Sequence, residues 1–259
     1  MITRLKSQIL GWARLRQSSA KPTAADLRPE QPFFAIGDIH GCADLLKAIM
    51  RRLDQVAEGP EPVVFVGDYI DRGRNSAQVL SWLFETQQDN PEQVICLMGN
   101  HERMLLDFID DPAGRGAQWL RNGGIDTLAS FGVALNSGEA DTDAAVAIAN
   151  ALEKAMPAGL QDWLRGLPLI WSSGNVHCVH AALSPNRAPE EQRADVLLWG
   201  HPEFMTSVRD DGQFVVHGHT IVPKAKMTGS RIPIDTGAFR TDQLSAVRVG
   251  MGSCEYFSI

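Results

Sequence analysis

Val63-Val64-Phe65-Val66-Gly67-Asp68-Tyr69-Ile70-Asp71-Arg72-Gly73 decides how the chain is read. Four consecutive apolar residues indicate a strand buried on both faces, since a strand with one wet face alternates apolar and polar side chains. The strand stops at Gly67, and a loop carrying two carboxylates and a guanidinium follows at once. Upstream, Phe33-Phe34-Ala35-Ile36 runs into Gly37-Asp38-Ile39-His40-Gly41. Downstream, Val94-Ile95-Cys96-Leu97-Met98 runs into Gly99-Asn100-His101-Glu102. Between these strands, Leu45, Leu46, Ile49, Met50 and Leu53, then Val79, Leu80, Leu83 and Phe84, recur at helical spacing. Doubly buried strands separated by helices imply parallel pairing. Open α/β sheets bind their ligands beyond the carboxyl ends of the strands.

Farther along, residues 114–166 read as mainly helical, with a break at Asn122-Gly123-Gly124 and an Ala-rich stretch from Asp143 to Ala155. Strand patterns return at Leu169–Trp171, Val176–Val179, Phe214–Val216, Ile232–Ile234, Ser245–Val249 and Glu255–Phe257. Two of these lead into histidines, at Val179-His180-Ala181 and at His217-Gly218-His219-Thr220. The five segments together supply Asp, His, Asp, Asn, His and His. This mixed nitrogen and oxygen set suits two borderline divalent ions better than magnesium, which prefers oxygen. If the first loop is extended, Asp38 and His40 point the same way, because strand side chains alternate.

The ordered set GDIHG, GDYIDRG, GNHE, strand-His-Ala and GHT resembles the calcineurin-like metallophosphoesterases. Among them it is similar to the phosphoprotein phosphatases, and in particular to their short bacterial and phage serine/threonine branch. The resemblance runs from about Phe33 to Val249. It implies an α/β fold of two packed mixed sheets flanked by helices, a four-layer sandwich. By matching position, it implies that Asp38, His40 and Asp68 hold a first metal. Asp68 then bridges to a second, completed by Asn100, His180 and His219. His101 becomes the general acid with Asp71 orienting it, and Arg72 and Asn100 touch the phosphoryl group. Manganese is the first expectation for both ions, with iron, zinc or nickel as alternatives.

The implied roles agree with the chemistry. Paired cations lower the pKa of a shared water towards neutrality and so create a nucleophile. In-line attack by that hydroxide builds charge on the phosphoryl oxygens, which a planar Arg72 fork neutralises. An alkoxide leaves poorly without a proton, and His101 is placed to supply one. The expected activity is therefore hydrolysis of phosphomonoesters, foremost on phosphorylated serine and threonine in proteins. Hydrolysis of a dinucleoside tetraphosphate is the alternative. Relatives with that activity share the GD-x-HGC opening, seen here with Cys42, but tend to lack an aspartate at the Asp71 position and to have Asp in place of Glu102.

Other positions leave readings open. Members of the branch often carry a second arginine after a Leu-Trp segment, whereas His201 follows Leu198-Trp199-Gly200 here. His201, Arg209 or Arg240 could take up that phosphate contact, or none of them. His217 could point into the same cleft as His219 or pack within its strand. Tyr69 could line the pocket or the core. Asp235-Thr236-Gly237 reads foremost as a turn, Glu102 as an acid favouring a helix dipole, and Trp82, Trp119, Trp163 and Trp171 as core.

Bulk properties set the frame. With 259 residues, 44% hydrophobic and 21% charged, the chain suits one large domain or two small ones. A net charge of −7 argues against nucleic acid as a partner. No apolar run is long enough to cross a bilayer. Cys42, Cys96, Cys178 and Cys254 are scattered without a metal or redox spacing, which fits reduced thiols and a cytoplasmic protein. Residues 1–30 are expected to form a basic tail with a short amphipathic helix or a linker, and 31–259 the catalytic domain, acting as a monomer.

Overall fold

The computed structural model describes residues 22–134 and 142–259. The proposed N-terminal helix and part of the Gly114–Ala155 stretch lie outside the described residues.

The strands are β1 Phe33–Ile36, β2 Val63–Phe65, β3 Val94–Cys96, β4 Ile170–Ser173, β5 Val176–Val179, β6 Phe214–His217, β7 Arg231–Pro233, β8 Ser245–Gly250 and β9 Ser253–Ser258. The helices are α1 Ala43–Asp54, α2 Ser76–Asp89, α3 Asn100–Asp110, α4 Ala117–Trp119, α5 Ile125–Ser130, α6 Thr142–Ala155, α7 Leu160–Gly166, α8 Ala194–Trp199 and α9 Ala238–Thr241. One sheet runs β3-β2-β1-β8-β9 and the other β4-β5-β6-β7. β1, β2 and β3 pair in parallel as expected, while β8 joins β1 antiparallel. β5, β6 and β7 are likewise parallel, with β4 antiparallel at the edge. Both sheets are therefore mixed.

Alternation along each strand sorts the core into layers. Phe33, Ala35, Val64 and Val66 face Val176, Cys178, Phe214 and Val216 across the gap between the sheets. Phe34, Ile36 and Phe65 turn the other way, onto Leu46 and Ile49 of α1, Leu80 and Leu83 of α2 and Leu105 of α3. On the far face of the second sheet, Val179 and Val215 pack under Leu197 of α8 and Phe204. Each large apolar side chain buried this way contributes roughly 1.5–3 kcal/mol, so both sheets are held on both faces.

The packed body begins before the expected boundary at residue 31. Leu27 is fully buried between the sheets, Arg28 N–H donates to Asn175 Oδ1 at 2.7 Å, and Glu30 N–H to Ser173 Oγ at 2.9 Å. Among the described residues no helix is long and apolar enough to cross a membrane, and all four cysteines are free.

Candidate metal centre and active site

The loops after β1, β2, β3, β5 and β6 converge at one end of the sandwich. Asp68 is the common member of two clusters of donor atoms, each within 4.8 Å of one another: His40, Asp68 and His101, and Asp68, His180 and His219. Asp68 Oδ2 lies 3.6 Å from His40 Nε2 and 3.8 Å from His101 Nε2, while Oδ1 lies 3.3 Å from His180 Nε2. Asn100 Oδ1 sits 2.8 Å from His180 Nε2 and 2.9 Å from His219 Nδ1.

Two of the imidazoles are held in a form that could bind a metal ion. His40 Nδ1–H donates to Ile70 O at 2.7 Å and His180 Nδ1–H to Val66 O at 2.9 Å. Each ring thereby presents a bare Nε2 to the cleft, the arrangement a metal-binding histidine requires. Burial brings His40 down to about 3 and His180 to about 4, so both stay neutral at physiological pH. His180 Nε2 and Asn100 Oδ1 are then two acceptors facing each other at 2.8 Å. A cation would relieve that contact, and the donor set fits divalent ions.

Burial alone would push the Asp68 carboxyl up, but the surrounding His180, His101 and His40 hold it well below the ordinary carboxylate value. Asp38 differs. Both its oxygens accept the His219 N–H, at 3.2 and 3.0 Å, and burial together with Asp235 and Asp68 pushes its carboxyl well up. Asp38 belongs to neither of the two clusters. The expectation of an extended loop that aims Asp38 and His40 alike is corrected. His40 has φ of 45°, a left-handed turn to which period-two alternation does not apply.

His101 stands on the first turn of α3. Its main-chain N–H donates to Asp68 Oδ1 at 3.1 Å, and its Nδ1 meets Asp71 Oδ2 at 2.5 Å. Burial lowers the basicity of His101, but Asp68 and Asp71 outweigh it and the ring holds its proton more firmly than free histidine. Asp71 is raised by burial, although hydrogen bonds from His101, Thr127 and Trp119 oppose the shift. Arg72 Nη1 donates to His40 Nε2 at 3.0 Å, and its guanidinium lies over the Phe239 ring at 4.8 Å.

One reading changes and the open ones resolve. Glu102, read as a dipole acid, is a buried clamp: Oε2 accepts the Asp68 and Gly99 N–H groups at 2.8 and 3.0 Å, and Oε1 the Tyr69 N–H at 2.8 Å. It fixes the two strand-end loops to each other. A Cβ on Gly99 would fall 2.3 Å from Asp68 N, so this junction has room only for glycine. Tyr69 belongs to the core, its hydroxyl donating to Leu97 O at 2.5 Å. His217 faces the outer side of the second sheet, edge-on to Phe204 at 4.9 Å. Arg209 is used up structurally, donating to Ser184 O and Arg187 O at 2.9 Å each and pairing with Asp211. Arg240 lies exposed on α9. His201 Nδ1 accepts the Glu203 N–H at 3.2 Å within a local turn. Asp235 is a turn residue, accepting Gly237 N–H at 2.8 Å, and is also a close buried neighbour of Asp38. Trp119, Thr127 and Phe239 were not foreseen as site residues, because isolated aromatics and threonines carry no motif.

Comparison with known proteins follows the same lines. The sequence profile described as calcineurin-like phosphoesterase matches residues 31–233. The symmetrical bis(5'-nucleosyl)-tetraphosphatase of Chromobacterium violaceum is 28% identical over 152 residues, 59% of this chain and 43% of that protein. The aligned stretch thus spans less than half of that relative. Serine/threonine-protein phosphatase 2 of Salmonella typhimurium is 26% identical over 228 residues, 83% of this chain and 92% of that protein. The crystal structure of a candidate diadenosine tetraphosphatase superposes with a TM-score of 0.61 at 19% identity, over 88% of this chain and 94% of that one. That likeness speaks for the fold alone. Matched by the profile over most of its length, the chain belongs to the calcineurin-like phosphoesterase family, hydrolases of phosphate esters.

Proposed function

We propose that this protein is a metal-dependent serine/threonine protein phosphatase. The observation that carries the reading is the buried His101–Asp71 pair, with Nδ1 and Oδ2 2.5 Å apart at the edge of the donor cluster. An aliphatic alkoxide must be protonated as it leaves, whereas a nucleotide phosphate leaves readily without help.

The proposed donor set is Asp38, His40, Asp68, Asn100, His180 and His219. Divalent ions held there, manganese foremost, supply the Lewis acidity that makes water nucleophilic near neutral pH. Arg72 and Asn100 bind the phosphoryl oxygens, with His201 as a further contact. The Arg72 fork offers two parallel N–H groups to two oxygens and neutralises charge as it develops. His101 delivers the Nε2 proton to the departing serine or threonine oxygen. Asp71 keeps the ring oriented through Nδ1. Asp68, Asp71, His40, His101 and His180 are buried, which strengthens the charge interactions among them, whereas Arg72 stands exposed at the rim. The free thiols are in keeping with a cytoplasmic setting.

The tetraphosphatase of C. violaceum favours a second reading, cleavage of a dinucleoside tetraphosphate at the same centre. Manganese-loaded enzyme separates the two when kcat/KM is measured on a phosphothreonine peptide and on diadenosine tetraphosphate. Preference for the peptide is expected, falling by about a hundredfold or more in His101→Ala. Preference for the dinucleotide would reject the substrate assignment and leave the metal centre standing.

A further inference from the structure

Asp71 has no exposed surface, and a buried carboxylate without partners is costly. Two side chains from a distant segment close on it. Thr127 Oγ1 donates to Oδ1 at 2.6 Å, and Trp119 Nε1–H lies 3.1 and 2.9 Å from Oδ1 and Oδ2. The same Thr127 hydroxyl accepts the Asp71 main-chain N–H at 2.9 Å. Both residues are fully buried.

Their meeting at one carboxylate depends on local backbone. In a straight α-helix, residues 119 and 127 would stand about 12 Å apart along the axis. Here the π-turn Leu120–Gly124, with Gly123 at φ 111°, folds the chain back between α4 and α5. Trp119 is wedged against Phe108, ring centroids 5.0 Å apart, and a Cβ on Gly124 would strike its ring at 2.5 Å. Neither the indole nor the carboxylate has room to turn.

We propose that Trp119 and Thr127 are positioning residues for the proton donor: together they lock the Asp71 carboxylate so that it holds His101 Nδ1 and aims Nε2–H at the leaving oxygen. This rests on reading His101 as the general acid. In the step served, water oxygen forms the new bond to phosphorus as the ester P–O bond breaks. The released electron pair stays on the alcohol oxygen, which takes the Nε2 proton, while the proton shed by water passes to solvent. Such a brace matters only where the leaving oxygen must be protonated. It therefore places esters of aliphatic alcohols ahead of phosphoanhydrides as the substrate class.

The test uses manganese-loaded full-length enzyme with phenyl phosphate and p-nitrophenyl phosphate, which share a phosphoryl group and differ in the basicity of the leaving oxygen. Thr127→Val and Trp119→Phe are expected to lower kcat on phenyl phosphate by about tenfold or more, and on p-nitrophenyl phosphate by less than about threefold. Thr127→Ser, which restores the hydroxyl, is expected to recover the phenyl phosphate rate with bound manganese unchanged. Equal losses on both substrates, or no loss in either variant, would overturn the proposal. If Trp119→Phe fails to fold, the Thr127 pair decides alone. Both substrates are synthetic, so a wild type that prefers the dinucleotide rejects the protein-phosphatase assignment without touching this contrast. A His101→Ala variant with wild-type rate on phenyl phosphate would reject the general-acid reading itself.

Discussion

In the strand-end loops the main chain is bent into unfavourable regions. His40, Asp68, Asp71, Arg72 and His219 have φ between 45° and 73°, five of the six non-glycine residues with positive φ among the described residues. In the helical brace of residues 116–130, only Gly123 has a positive φ, and the neighbouring site is held by the side chains of Trp119 and Thr127. Left-handed non-glycine backbone costs of order 1–3 kcal/mol per residue and survives only where neighbours over-determine it. The Glu102 clamp and the parallel ladders supply that constraint at the loops. Three of the five converging loops, those after β1, β2 and β6, carry this strain, while the unstrained brace sets the orientation of a single carboxylate. Metal binding should therefore depend on the loops, and leaving-group chemistry on the brace.

The most severe break falls on the loops. Asp68→Ala should remove bound manganese and reduce turnover by more than the roughly 10–100-fold that outer partners of a metal site cost. Metal analysis and a thermal shift check this: manganese at a hundredfold excess over Kd should stabilise wild type by about 2.7 kcal/mol and leave the variant unchanged. Retained metal would mean that Asp68 is not the shared ligand.

Arg72→Lys comes next. A point charge cannot reproduce the planar fork, so kcat/KM should fall about a hundredfold with metal content intact. A loss confined to metal binding would reassign Arg72 from substrate to structure.

Gly123→Ala probes the junction of the two regions. An added Cβ would come within 2.9 Å of both Arg72 Cγ and Arg72 N, at a φ that L-residues avoid. A stability loss of about 1–3 kcal/mol is expected, read by urea melts, together with weaker phosphate binding from a displaced Arg72. Loss of stability without any change in KM would show that brace and loops are independent.

The smallest effect belongs to His201→Ala. With Nδ1 occupied by the Glu203 N–H, the ring can offer the phosphate at most one hydrogen bond, through Nε2. KM should rise by about fivefold, equivalent to the roughly 1 kcal/mol net worth of one hydrogen bond. A rise of about a hundredfold would make His201 the functional replacement for the second arginine.

Much of this was legible beforehand, for a physical reason. Doubly apolar runs can be buried only between two layers, so β1, β2 and β3 and their parallel pairing followed from residues 33–36, 63–66 and 94–98. Gly-Asp and Gly-Asn at strand ends mark the points where the chain must turn and a ligand can bind, which singled out Asp38, Asp68 and Asn100. Arg209 illustrates the limit. A guanidinium at a plausible spacing is indistinguishable in sequence from one that binds phosphate, and only burial against Ser184, Arg187 and Asp211 shows its place. The ordering of Leu27, Arg28 and Glu30 against the second sheet was hidden too, because their partners lie more than 140 residues away.

What the sequence determined by itself is the α/β architecture, which rests on periodicity, and the family, which rests on five short motifs in order; the donor set it nominated came from that resemblance. What only the tertiary structure decided is the tautomer of His40 and His180, the turning of Asp38 towards His219, the Glu102 clamp and the Trp119–Thr127 hold on Asp71. Those depend on single hydrogen bonds between residues 30 to 181 positions apart. Such bonds form only once packing has removed water and fixed each side chain, and no pattern along the chain encodes them.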